Sequence, residues 1–319
     1  MPKVRKAVVT AAGQGLRHFP ATQEFQKELL PLVDRDGTTR PTIQIILQEA
    51  LDAGIEEICL VVSPQREAQF RGYFRGMLDD QLSYFQGKQW ALDEGERLAD
   101  LGRRITYAVQ REPGGDGHAV FCARDFVRED PFLLLLGDHV FVPTGGRSCC
   151  RQVMDVYDNR EAPVSGVQRT GEDFLHLFGT VTGRRLSVDP SVYELSQVAE
   201  KPTVEFAEEH LRTRGLRRGE YLCFFGVHVM PPLLFEMLAG LIHEGRPSRV
   251  GYQLTDALER LRHQDTYLAV EVEGARYDMG MPFGYIQTQL ALAINSPARR
   301  QVLSWLPNLL TMQDLEKLR

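Results

Sequence analysis

The chain alternates short apolar runs with amphipathic stretches over most of its length. Residues 7–10 form a run of strand type. Residues 41–53 carry a helix pattern, with Pro41 at the start, Ile43, Ile46, Leu47, Ala50 and Leu51 at helical spacing, and Gly54 as a stop. Residues 58–63 and 105–110 read as buried strands, and a helix is expected over about 118–127. The run 132–136 is apolar and leads into Gly137-Asp138. This rhythm predicts an α/β fold with a mostly parallel central sheet flanked by helices. Between these elements, 65–104 interleaves Phe70, Tyr73, Phe74, Met77, Leu82, Tyr84, Phe85 and Trp90 with many charges. Its length predicts helices of its own, either an amphipathic cover on the core, which is favoured, or a mobile substrate lid.

The second half reads as strands over 162–167, 179–182, 193–199, 221–229 and 267–272. Helices are expected over 232–242, 255–262 and 283–294. The end, 304–319, looks like a short helical appendage. No repeat, low-complexity stretch or linker interrupts the pattern. It predicts one domain over 1–295, with 65–104 as a helical insertion or lid, and a C-terminal helical appendage over 296–319.

Composition narrows the function classes. The 319 residues have an ordinary soluble make-up and a formal net charge of −6, with both signs mixed along the chain. A nucleic-acid surface would need a basic patch, so none is expected, whereas a nucleotide in a pocket needs only a few local cations. There is no apolar run of roughly 18 residues, so no membrane span is expected. The charged start enters a strand directly, unlike a signal peptide. Five cysteines, odd in number and without metal spacing, point to a reduced, cytoplasmic protein.

The chemistry gathers where strands end. After the first strand comes Ala11-Ala12-Gly13-Gln14-Gly15, then Arg17 and Lys27, with Pro20 and Pro31 stiffening the path. Small residues let a backbone approach a phosphate and aim its N–H groups at it, and the cations neutralise what the loop holds. An ordinary glycine turn has the same look. A nicotinamide dehydrogenase is disfavoured, since residues 13–18 lack the third glycine of the dinucleotide fingerprint. Gln110 offers an amide to a base edge, with Gly114 and Gly115 allowing close approach. Asp138, at the end of the most apolar strand, is placed for Mg²⁺, and Asp278 could be a second carboxylate; both also suit capping. Glu200 could bind sugar hydroxyls and Lys201 a phosphate, or the two could be an exposed ion pair before Pro202.

Seven segments in order, from about residue 4 to 295, resemble the sugar-phosphate nucleotidyltransferases and, more narrowly, the bacterial UTP–glucose-1-phosphate uridylyltransferases. They are AAGQGLRHFPAT…KELLP, LQEALDAGIEEICLVVS, QREPGGDGHAV, LLLLGDHV, VAEKP, GYQLTDALERL and EGARYDMG. The resemblance implies a Rossmann-like nucleotide-diphospho-sugar transferase fold, a Mg²⁺ cofactor, a nucleoside triphosphate and a sugar 1-phosphate as substrates, and a homodimer or homotetramer. It also implies residue roles. Ala11, Ala12, Gly13 and Gly15 would line the nucleotide, while Gln110 and Gly115 would read its uracil. Arg17 and Lys27 would hold the triphosphate, and Asp138 and Asp278 the Mg²⁺. Gly179, Glu200 and Lys201 would contact the sugar phosphate. The reaction expected is uridylyl transfer from UTP to glucose 1-phosphate. The same chemistry on another nucleotide or sugar, such as thymidylyl transfer, or a weakly active nucleotide-sugar-binding paralogue, stands beside it.

Three positions depart from the family pattern. Leu16 replaces a hydroxyl residue in the first loop. His139 replaces the second Asp of a GDD strand end. Met281-Pro282 replaces an Asp-Lys pair after Asp278-Met279-Gly280.

Overall fold

The computed structural model describes residues 3–245, 247–248 and 250–314; the last part of the expected tail, 315–319, lies outside them. The strands are β1 (Lys6–Ala11), β2 (Pro31–Val33), β3 (Thr39–Pro41), β4 (Glu57–Val62), β5 (Ile105–Val109), β6 (Phe132–Leu136), β7 (His139–Pro143), β8 (Val164–Gly171), β9 (Thr180–Arg185), β10 (Val192–Ala199), β11 (Glu220–Met230), β12 (Leu268–Glu271) and β13 (Gly274–Asp278). The helices are α1 (Thr42–Asp52), α2 (Glu67–Tyr73), α3 (Asp79–Tyr84), α4 (Gln89–Arg103), α5 (Asp116–Phe121), α6 (Arg124–Val127), α7 (Cys149–Arg160), α8 (Val204–His210), α9 (Leu233–Glu244), α10 (Leu254–Arg262), α11 (Pro282–Ile294) and α12 (Arg299–Asp314).

Nine strands form one sheet in the order β5-β4-β1-β6-β11-β8-β12-β10-β9. The first four run parallel, as the βαβ rhythm of the N-terminal half requires. Direction reverses at β11, which is antiparallel to both β6 and β8. Beyond it β12 is parallel to β8, while β10 runs antiparallel to β12 and β9. The connection 186–191 between β9 and β10 is too short for the crossover of a dozen or more residues that a parallel pair needs. The sheet is thus parallel on the nucleotide-loop side and mixed on the other.

Successive side chains of a strand point to opposite faces. On one face Ala7, Val9, Ile58, Leu60, Leu133 and Leu135 meet the helix residues Ile43, Ile46 and Leu47. On the other, Val8, Cys59, Val61, Phe132 and Leu134 meet Val120, Leu234 and Leu258. The near-continuous apolar runs of β4 and β6 follow from burial on both faces.

Several elements were not visible in the pattern. The expected helix 118–127 divides into α5 and α6. Helix α7 begins at Cys149 because Ser148 caps it, its side chain accepting from the Arg151 N–H at 3.1 Å. A separate ribbon pairs β7 with β13. The segment 65–104 folds, as expected, into helices of its own, α2, α3 and α4. Helix α4 is tied down by Glu94, which accepts from Arg40 Nε at 2.7 Å and from Gln44 Nε2 at 2.7 Å. No helix of the described residues is long and apolar enough to cross a membrane.

Candidate active site

The parallel strands end side by side, and the candidate residues follow those ends. Ala11 closes β1, Gln110 follows β5, and Asp138 lies just past β6. The Gly137 N–H donates to Thr10 O at 2.9 Å, and the Gln110 N–H to Val62 O at 2.9 Å, so the ladder carries on into the site. In an open α/β sheet, the crevice outside these carboxyl ends is where ligands bind.

The first loop is held from beneath. Gln26 Nε2 donates to the carbonyls of Gly13 at 2.8 Å and Ala11 at 3.2 Å, and to Glu28 Oε2 at 2.6 Å. Thr22 Oγ1 donates to Gly15 O at 3.0 Å. Gly15 has φ 63°, and a Cβ there would lie 2.9 Å from Thr22 Cγ2, so both backbone and packing demand glycine. The carbonyls of the loop are thus the groups bound from below. Gln26 and Glu28 carry no chemistry in the sequence reading; their proximity to Lys27 was the available signal.

Lys27 is the centre of charge. Its Nζ lies 2.7 Å from Asp138 Oδ2 and 2.6 Å from Glu28 Oε1. Burial works against the ammonium, but Asp138 and then Glu28 outweigh it, holding its pKa above the ordinary lysine value. For Glu28, burial dominates and pushes the carboxyl up despite Lys27. For Asp138, burial is opposed by Lys27, then His139 and Arg17, and the carboxyl is held below its usual range.

Asp138, His139 and Asp278 each offer a donor atom within 4.8 Å of the others'. The ribbon explains how: in the β7–β13 register Asp278 stands opposite His139, which puts both side chains on one face. The Met279 N–H donates to Asp138 O at 2.7 Å, which closes the end of the ribbon. Gly280 lies between the carboxylates; a Cβ there would be 2.9 Å from Asp138 Oδ2 and 2.9 Å from Asp278 Oδ1. Two carboxylates converging on a niche that admits no side chain fit a divalent cation. His139 is buried, and burial pushes its pKa below the usual histidine range against the pull of Asp138 and Asp278. Arg17 is exposed at the rim; its Nη2 would be 3.7 Å from that Gly280 Cβ, and its Nη1 lies 2.7 Å from Met281 Sδ.

A second group of candidate residues comes from the mixed half of the sheet. Ala199 of β10 pairs with Thr180 of β9, so Glu200 and Gly179 leave the sheet together. A Cβ on Gly179 would sit 3.3 Å from Glu200 Oε2 and 2.8 Å from Phe224 Cδ2. Lys201 Nζ pairs with Glu200 Oε1 at 3.2 Å, and its backbone holds φ 43°, which is uncommon for a residue with a Cβ. Gln110 is buried, with Nε2 donating to Gly115 O at 3.0 Å and lying 3.2 Å from His118 Nδ1. Gly115 has φ 98° and packs on the Tyr252 backbone. Arg276, which the sequence reading passed over, joins this group: its guanidinium lies 3.5 Å from the Phe178 ring centroid and donates to Phe224 O. Burial pulls its pKa down to about 10, so it stays charged at neutral pH.

A family model described as nucleotidyl transferase matches residues 6–293. The chain belongs to the nucleotidyl transferase family. Among its curated relatives, a UTP–glucose-1-phosphate uridylyltransferase of Bacillus subtilis is 33% identical over 99% of this chain and 100% of its own length. One from Staphylococcus epidermidis is 33% identical over 94% of this chain and 96% of its own. Among solved structures, the UTP-bound UGPase from Acinetobacter baumannii superposes with a TM-score of 0.77 at 25% identity, over 95% of this chain and 99% of its own. A UDP-glucose pyrophosphorylase complexed with UDP-glucose gives 0.73 at 24% identity over 90% and 98%, a likeness of fold. The α/β nucleotidyltransferase fold read from the seven motifs is the fold of this chain.

Proposed function

We propose that the protein transfers a uridylyl group from UTP to glucose 1-phosphate, giving UDP-glucose and pyrophosphate. The observation that carries this reading is the meeting of Lys27 with Asp138, beside Asp278 and Arg17, at the parallel strand ends of a nucleotidyl transferase chain. Relatives bearing that activity's name along nearly the full length support it.

A phosphate oxygen of glucose 1-phosphate attacks the α-phosphorus of UTP. The new P–O bond forms as the bond from the α-phosphorus to the bridging oxygen breaks, and pyrophosphate departs with that electron pair. The nucleophile is already an anion, so no enzyme-bound intermediate and no general base are required. The barrier lies in bringing two polyanions together, and positioning with electrostatics lowers it. Lys27 and Arg17 neutralise the triphosphate side, and Lys201 the sugar phosphate, while Glu200 accepts from sugar hydroxyls near Gly179. Ala11, Ala12, Gly13 and Gly15 bring backbone close to the phosphates. Both Gln110 amide hydrogens are directed within the protein, which leaves its Oε1 to accept from uracil N3–H, with Gly115 beside it. Asp138 and Asp278 would hold Mg²⁺, which supplies a counter-charge to the phosphates when bound.

We read 1–295 as the catalytic domain, 65–104 as its helical insertion and 296–319 as an appendage. The exposed Phe283, Ile286, Leu303 and Trp305 of α11 and α12 are the surface we assign to a homo-oligomer, which sedimentation would test. A reducing compartment such as the cytoplasm suits five free cysteines. The test of function is pyrophosphate release across nucleoside triphosphates and sugar 1-phosphates. UTP with glucose 1-phosphate should be the best pair. No turnover with any pair, alongside tight binding of UDP-glucose, would overturn the enzyme reading in favour of a binding paralogue.

A further inference from the structure

His139 is a buried imidazole, 7% exposed, and its Nδ1 is buried without a hydrogen-bond partner among the described residues. A buried polar group left without a partner is costly, so a position that keeps one calls for a ligand. Its surroundings are built around the ring. The register of β11 against β8 shifts between Phe224 and His228, and within that bulge Gly226 adopts φ 87°. A Cβ on Gly226 would collide with His139 Nδ1, so the bulge and its glycine make room for this side chain. On the ribbon, His139 faces Asp278 across the strand pair, and the donor atoms of Asp138, His139 and Asp278 fall within 4.8 Å of one another.

We propose that His139 is a third protein ligand to the metal, making the site a two-carboxylate, one-imidazole set that selects Mn²⁺ or Co²⁺ over Mg²⁺. Mg²⁺ prefers oxygen donors in near-ideal octahedral geometry, whereas imidazole suits the later first-row metals. Two carboxylates, one ring nitrogen and phosphate oxygens of the nucleotide make a mixed set for such an ion. The proposal deepens the reaction proposed above and rests on it for the nucleotide's part in the coordination. The claim about His139 itself is read without turnover.

The decisive measurement is electron spin-echo envelope modulation on the full chain loaded with Mn²⁺, with and without UTP. Nitrogen modulation from a coordinated imidazole is expected in at least one state, and it should vanish in His139→Asn. In parallel, competition of Mg²⁺ against Mn²⁺ followed by the free Mn²⁺ resonance should show Mn²⁺ favoured. His139→Asp should cut that preference by at least about tenfold, the loss typical even of groups one shell further from a metal. His139→Phe keeps a ring in the Gly226 niche and separates lost coordination from lost packing; it should also lose the preference. Modulation absent in both states, or a Mn²⁺ preference unchanged in His139→Asp and His139→Phe, overturns the proposal. If modulation is present while no nucleotide and sugar pair turns over, the ligand assignment stands and the proposed reaction falls.

Discussion

Lys27→Met tests the charge balance on which the site is built. In the native protein one ammonium, 9% exposed, lies 2.7 Å from Asp138 and 2.6 Å from Glu28. Glu28 is 1% exposed, so its charge has almost no water to fall back on. Methionine keeps the length of the stem but leaves both carboxylates facing each other without a cation. Removing one partner of a buried pair costs about 3–5 kcal/mol, because the remaining charge is left uncompensated. For a 319-residue chain, an unfolding entropy of about 2.1 cal/mol/K per residue converts this to a fall in Tm of about 5–8 °C. Differential scanning calorimetry at neutral pH reads the fall directly. Lys27→Met combined with Glu28→Gln should recover a good part of it, since the most buried charge is then gone. The deficit should also shrink on acidification, as Glu28 protonates and no longer needs the cation. A Tm for Lys27→Met within about 1–2 °C of the parent, on the same conversion, would refute this account of the cluster. On the role proposed for Lys27 at the triphosphate, turnover should be lost in both variants.

His228 is buried and its pKa is pushed down to about 3, first by burial and then by His139. The folded value lies below the unfolded one, so stability is full above about pH 6.5 and falls as pH drops toward 3, by at most about 1.4 kcal/mol per unit; urea denaturation from pH 7 to 4 should show this slope, and His228→Phe should flatten it. Gly280→Ala pushes a methyl between Asp138 and Asp278, so metal affinity by calorimetry should fall about 10- to 100-fold with the Tm little changed; unaltered affinity would remove Gly280 and the two carboxylates from the metal site. Lys201→Ala should raise the KM for glucose 1-phosphate with little effect on the KM for UTP, and an equal rise in both would place Lys201 elsewhere. Glu94→Gln breaks the two-point pairing with Arg40 and should loosen α4, seen as faster amide exchange over 89–103 than in the parent; unchanged exchange there would mean the apolar side of α4 alone fixes it.

The parallel half of the fold was legible because strands buried on both faces read as unbroken apolar runs, and because helix patterns at 41–53 and about 118–127 alternate with them. The site loops were legible because small residues and cations cluster at strand ends. What stayed hidden depended on partners remote in sequence. The reversal at β11 is set by its neighbours β6 and β8, which no local pattern encodes. The β7–β13 ribbon is short, and β13 has no alternation to announce it. Arg276 looks like any arginine until its burial against Phe178 is known. Glu28 sat inside a quoted motif, but only the geometry makes it the counter-charge of Lys27. His139 was visible as a departure from pattern; the bulge at Gly226 that accommodates it was not.

Arg276 has a consequence for how the two substrates influence each other. It sits on β13 two residues before Asp278, while its guanidinium rests on Phe178, next to Gly179. One short strand therefore carries Asp278, the proposed metal carboxylate, at its end and, through Arg276, braces the loop at Gly179 proposed for the sugar. A larger sugar that displaced Gly179 would press on Phe178, then on Arg276, and so on the strand that aims Asp278. Discrimination among sugars is then a matter of alignment as well as of fit, and a poor sugar should slow the chemical step and not merely bind weakly. On the proposed roles the bracket works in both directions: a metal and nucleotide that steadied Asp278 would also steady the loop at Gly179.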